Sequence, residues 1–136
     1  MNTKFQGTLS RSVKGPLESP PSLRVSLQAV VDTVAGWPGI NKSVHWHFAD
    51  LSRVDGVDFY FGDEELGHIH LEGEIHIAAG ADLTSLLIAE GAAKPFRYQA
   101  GWVEEQADRI GTVASIQLFR RNYERLQREN LSVGGG

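Results

Sequence analysis

A chain of 136 residues has material for one domain and too little for two good cores. Its 13 Lys and Arg against 17 Asp and Glu give a formal charge of −4, so no global field draws it to nucleic acid or to an anionic membrane, and neither is expected as a partner. The absence of cysteine excludes disulfides, thiolate nucleophiles and cysteine-held zinc or iron–sulfur sites.

Residues 1–21 are poor in periodic apolar residues and end in Glu18-Ser19-Pro20-Pro21, which reads as a flexible N-terminal arm. The opening MNTKFQGTLSRS lacks the apolar segment of a secretory signal, and no apolar run approaches the roughly 18 residues of a membrane span. A cytoplasmic location follows as the expectation.

The first helix is expected after the prolines, capped by Ser22, with Leu23, Leu27, Val30, Val31 and Val34 forming its apolar stripe. Gly36 stops it, and Trp37-Pro38-Gly39 turns the chain. From Ser43 to Ala49, Val44, Trp46 and Phe48 alternate with His45 and His47, the period of a strand. Val57, Phe59 and Phe61 alternate in the same way with Asp58 and Tyr60. Asp55-Gly56 between these runs predicts a hairpin turn. A third strand, Leu66 to Leu71, sets Ile69 and Leu71 against His68 and His70. Gly73 then opens a fourth strand through Ala78 or forms a bulge within one long strand, and the two readings put His76 on opposite faces.

Asp82 is expected to cap a short helix through Leu83, Leu86 and Leu87, closed by Gly91. Pro95–Tyr98 and Trp102–Glu104 read as short extended pieces around a turn at Gly101. Thr112 is expected to cap a final helix with Val113, Ile116, Phe119, Tyr123 and Leu126 buried, and Glu124 paired with Arg128 on its exposed side. The Arg-rich stretch 120–128 reads as a solvated helix face, and Gly134 to Gly136 as the end of a flexible tail.

Strands clustered between helices define an α+β class. The expected architecture is an antiparallel meander of three to four strands plus a short extra strand, packed on one face by three helices. The single domain spans 22–130, with a flexible Gly-rich tail at 131–136.

All five histidines lie between positions 45 and 76, four of them as His45-Trp46-His47 and His68-Ile69-His70. Residues i and i+2 of a strand share a face, so His45, His47, Asp58, Tyr60, His68 and His70 would line the side opposite the aromatic core. Neutral imidazoles are ligands for transition metals and suit proton transfer near neutrality. An antiparallel sheet also often leaves one face wet, where polar residues simply alternate. Three readings therefore stand side by side: a metal site, a metal-free ligand pocket, and a solvated or interface face. No cofactor is expected beyond a divalent metal as a candidate.

Other signals are weaker. No Gly-rich dinucleotide or nucleotide loop is present, and Ser43, Ser52 and Ser85 lack a nucleophile-elbow context. Glu64-Glu65 read as a turn, and Glu104-Glu105 as a source of a carboxylate or, in the preferred reading, an exposed strand end. Trp37 and Trp102, each near a glycine, read as loop packing.

The runs ELGHIHLEGEIHI at 65–77, AEGAAKPFRYQAGWV at 89–103 and LFRRNYERL at 118–126 resemble the luciferase-domain family of small proteins, over roughly residues 36–127. The resemblance implies a compact α+β domain and little about activity; light emission is not implied in a chain without nucleotide or flavin motifs. Family members carry a histidine after the proline corresponding to Pro95, where this chain has Phe96. If that histidine completes a site in relatives, this chain has lost it or uses His45, His47 or His76 instead. The expected function is a small-molecule binding module, with or without residual catalysis, on the histidine face. The alternative is a non-catalytic interaction domain, in which that face or the first helix meets another chain, in a homo-oligomer or with a partner.

Overall fold

In the computed structural model, which describes residues 18–135, three helices and six strands follow one another. They are α1 (Val25–Ala35), β1 (Ile40–His47), β2 (Asp50–Phe61), β3 (Glu64–His70), β4 (Glu74–Ile77), α2 (Gly80–Ala89), β5 (Lys94–Pro95), β6 (Val103–Gln106) and α3 (Ala107–Gly135). The strands form one antiparallel sheet in the order β1-β2-β3-β4-β6-β5. The fold is α+β, with the helices packed on the sheet. Its meander is longer than expected, because the pieces on either side of Gly101 form a β5–β6 hairpin that adds to β4. Glu72-Gly73 is a turn, so β4 is a separate strand, and its His76 lies opposite His68.

Period-two alternation supplies the core face. Val44, Val57, Ile69 and Ile75 stand in one row across four strands; Phe59, Ile77 and Val103 stand in the next, and all are buried. Leu27, Val30, Val31 and Val34 of α1, Leu87 of α2, and Leu118, Phe119, Tyr123 and Leu126 of α3 close over these rows in one cluster. Phe119 meets Phe59 edge-on at 5.2 Å. The buried Asn122 fastens α3 to the sheet, its amide donating to the carbonyls of Leu66 and Ala78 at 2.9 and 3.0 Å.

Several local expectations change. Arg24, not Ser22, is the N-cap of α1, without a side-chain cap; Gln28 Oε1 accepts the Leu23 N–H (2.7 Å) and Arg24 itself pairs with Asp108 of α3. Ala79 rather than Asp82 is the N-cap of α2, and Asp82 lies in the first turn; Gly91 follows the helix end as expected. Asp55-Gly56 is no turn. Both residues lie within β2, and the chain reverses instead at Phe48-Ala49, which leaves Phe48 91% exposed. Trp46 is only half-buried and outside the core cluster, because the β1–β2 register shifts on both sides of it. Leu71 falls in the turn after β3 and is exposed.

Gly111 is non-helical and kinks α3, so the long segment starts near Thr112 after a short helical piece from Ala107. Val113 is exposed, since six residues separate it from Phe119 and turn it about 120° off the buried stripe. Glu124 pairs with Arg120 rather than Arg128 (3.0 Å), and α3 continues to Gly135 through most of the expected tail. Of the expected arm, residues 1–17 lie outside the described residues, whereas the Glu18 carbonyl accepts the Val44 N–H at 3.0 Å.

Candidate functional site

The sheet face opposite the helices carries its polar residues in register. Ser43, Asp58, His68, His76, Glu104 and Lys94 are successive cross-strand partners from β1 to β5, and His45, Gly56 and His70 form the adjoining row. Neighbouring strands run about 4.8 Å apart, so imidazoles in these rows touch. The His45 and His68 rings stack at 3.9 Å, His45 meets His70 edge-on at 4.8 Å across the side-chain-free Gly56, and His76 lies 5.0 Å from both His68 and His70.

Two bulges add carboxylates to this face. Between the pairs His45–Gly56 and Trp46–Val54, Asp55 is the extra residue of β2; between Phe59–Gly67 and Tyr60–Glu65, Leu66 is the extra residue of β3. Strict alternation would send Asp55 and Glu65 to the core, and each extra residue reverses that parity. A glycine adjoins each bulge. A Cβ on Gly56 would lie 2.1 Å from the Ile69 carbonyl oxygen, and one on Gly67 2.5 Å from that of His76, so only glycine permits either approach.

The result is a set of imidazole–carboxylate pairs. His45 Nδ1 lies 2.7 Å from Asp58, whose other oxygen accepts the Tyr60 hydroxyl at 3.1 Å. His68 Nδ1 lies 2.9 Å from Glu65, and His70 Nδ1 2.9 Å from Asp55. His76 Nε2 lies 3.4 Å from Glu104, while its Nδ1 lies 3.0 Å from His68 Nε2 and 3.1 Å from His70 Nε2. Four rings thus turn one nitrogen to a carboxylate, and three of them demonstrably turn the other toward one another. Asp58 and Glu65 are each 1% exposed and His45, His68 and His76 no more than 8%. Trp102 and Phe96 of the β5–β6 hairpin wall the site, 5.6 Å from His68 and 4.3 Å from His76 respectively.

Among the described residues, His45, His68 and His70 each bring one possible ligand atom within 4.8 Å of the others, as do Asp58, Glu65 and His68. Of the six expected site residues, His45, Asp58, Tyr60, His68 and His70 are therefore together. His47 is in neither group; beyond the bulges its ring stacks on Phe48 at 5.1 Å and its Nδ1 accepts the Ala49 N–H. Asp55, Glu65, Phe96 and Trp102 join the site unexpectedly; so do Glu104, read mainly as an exposed strand end, and His76, expected only as one stand-in for the histidine absent at Phe96. Glu65 is not in a turn, and Glu104 faces the histidines. The glycines within strand-like runs were the available signal for the bulges.

Glu105, next along β6, turns to the helix side and is buried there. Burial pushes its carboxyl up, but the Arg109 hydrogen bond, the Gln106 N–H and the charges of Arg109 and Lys94 outweigh this and hold it below the ordinary range. Three of the four arginines of 120–128 are paired away from this face: Arg120, Arg121 and Arg125 with Glu124, Glu90 and Glu129. No helix among the described residues is long and apolar enough to cross a membrane.

Comparison of the chain with family profiles, curated proteins and solved structures finds no match.

Proposed function

We propose that this chain is a binding module whose small ligand docks on the histidine face, and that the resemblance to the luciferase-domain family concerns the scaffold rather than light emission. The observation that carries the reading is the set of buried (His45, His68, His76) and part-buried (His70) imidazoles, each set in orientation by a carboxylate. Polar groups on a merely solvated sheet have no need of such pairing, because water satisfies them. Buried and paired, they are held rigid, which lowers the entropic cost of ligand binding.

The test uses the imidazole NMR signals of the tag-free, 15N-labelled chain, titrated with a panel of small anions, neutral polar fragments and divalent metal salts. The reading predicts that at least one probe moves the His68, His70 and His76 signals together and leaves His47 in place. A panel that moves none of them would remove the proposal.

A second reading has one observation in its favour. Phe48, almost fully exposed and stacked on His47 at the β1–β2 tip, is a large apolar side chain presented to solvent. It would make the domain an interaction partner, in a homo-oligomer or with another chain. Sedimentation equilibrium with Phe48→Ser tests the homo-oligomeric form: loss of a wild-type oligomer supports it, and a wild-type monomer at all concentrations counts against it.

A further inference from the structure

We propose that the ligand is a divalent first-row transition metal such as Zn2+, Co2+ or Ni2+, held by ring nitrogens of His45, His68 and His70 with His76 alongside. This deepens the ligand-binding reading above and rests on it.

The ring hydrogens aim the remaining lone pairs at one spot. An ionised carboxylate only accepts hydrogen bonds, so Nδ1 of His68, facing Glu65, and Nδ1 of His70, facing Asp55, each carry their ring's hydrogen. A neutral imidazole has only one, which leaves lone pairs on Nε2 of both rings. Those lone pairs converge on His76 Nδ1, at 3.0 and 3.1 Å. His76 brings at most one hydrogen to that point, and the Glu104 carboxylate near its Nε2 competes for it. The three rings themselves bring at most one hydrogen to this spot. A positive centre, either an extra proton or a metal ion, suits nitrogens so placed.

Three features select the metal. Ligating histidines almost always turn their other nitrogen to a carboxylate or carbonyl, which fixes the ring and raises its basicity, and here the imidazoles of three strand positions do so at 2.7 to 2.9 Å. Metal–nitrogen bonds of ~2.0–2.1 Å at tetrahedral angles put ligand nitrogens about 3.3 Å apart, near the 3.0 and 3.1 Å that separate His76 Nδ1 from Nε2 of His68 and of His70, whereas His45, His68 and His70 must draw together from within 4.8 Å. His45 belongs to the same reach: one ligand atom each from His45, His68 and His70 lies within 4.8 Å of the others. The carboxylates of Asp55, Asp58, Glu65 and Glu104 supply charge that an ion in the cluster would balance, whereas one extra proton balances a single unit. Imidazole donors without thiolate favour zinc, cobalt, nickel or copper(II), while calcium and magnesium require oxygen shells.

The experiment titrates the full, tag-free chain, first stripped with chelator, with CoCl2 and ZnCl2. Cobalt is followed by its visible absorption and zinc by the 15N shifts of the wild-type imidazoles. The proposal expects one ion per chain, ligand-field absorption on adding cobalt, and zinc-induced shifts at Nε2 of His68 and His70 with the hydrogens kept on Nδ1. His70→Ala should weaken binding more than about 100-fold, Asp55→Asn about 10–100-fold, and His47→Ala less than about 2-fold. Circular dichroism confirms that each variant folds, and the wild-type nitrogen shifts decide the question if one does not.

Zinc bound through Nδ1 of His68 would place the ion in the Asp58–Glu65–His68 group and overturn the assignment. Small anions or neutral fragments that move these signals while cobalt and zinc do not would overturn the metal and leave the ligand-binding reading standing. Silence to every probe would overturn both.

Discussion

Gly56 lies between two histidines of the face. Its cross-strand neighbours are His45 on one side and His70 on the other, and its missing side chain lets their rings meet. The backbone behind it is equally close, with the Ile69 carbonyl oxygen where a Cβ would go. Gly56→Ala must therefore shift β2 away from β3, and we expect a loss of stability of roughly 1–3 kcal/mol by denaturant unfolding. A neutral substitution would mean that the two strands are further apart than described. The same residue marks the limit of reading by alternation. Val57, Asp58, Phe59 and Tyr60 were legible because each obeys a period of two, and so was the shared face of His68 and His70. Asp55 and Glu65 were not, because parity fails at a bulge. Asp55-Gly56 has the composition of a turn and the role of a close approach, a distinction made by the partner strand and not by the dipeptide.

At the scale of elements, the three helices and the central strands were readable from periodic apolar residues, and their ends were not. Caps depend on distant partners: Arg24 is drawn to Asp108, 84 positions along the chain, and local chemistry at Ser22 carries no sign of it. The expected aromatic core divides in the same way. Phe59 is fully buried against Phe119, while Trp46 sits between register shifts and Phe48 at the hairpin tip. Phe59→Ala should cost about 3–5 kcal/mol and Trp46→Ala clearly less, measured by the same denaturant unfolding. Equal losses would show that the core extends to the β1–β2 tip. His76 needed the turn at Glu72-Gly73 to be settled, since only a separate β4 brings it opposite His68.

For the whole molecule, the sheet divides the ionisable groups into two regimes. On the helix side, Glu105 is held below the ordinary carboxylate range mainly by Arg109, against the opposing effect of burial. The folded chain then binds fewer protons than the unfolded chain near the ordinary carboxylate pKa. The stabilisation is fully present above that range and is lost as pH falls through the depressed folded value. Glu105→Gln should lower stability at neutral pH by on the order of 1 kcal/mol, a modest amount because Arg109 is more than half exposed, and should flatten the acid side of the stability profile. Thermal melting from pH 3 to 7 checks this, and parallel profiles for the two proteins would contradict it.

On the other side, the histidines and their carboxylates form a cluster that five strands assemble and that no single segment contains. A metal competes with protons for the same nitrogens, so its affinity there should rise with pH. The most direct test is a crystal structure of the tag-free chain grown with zinc, with anomalous scattering recorded on both sides of the zinc absorption edge. The account predicts one strong peak within about 2.0–2.2 Å of Nε2 of His68 and His70. A histidine face with no such peak, while zinc sits at His47 or on surface carboxylates, would contradict it.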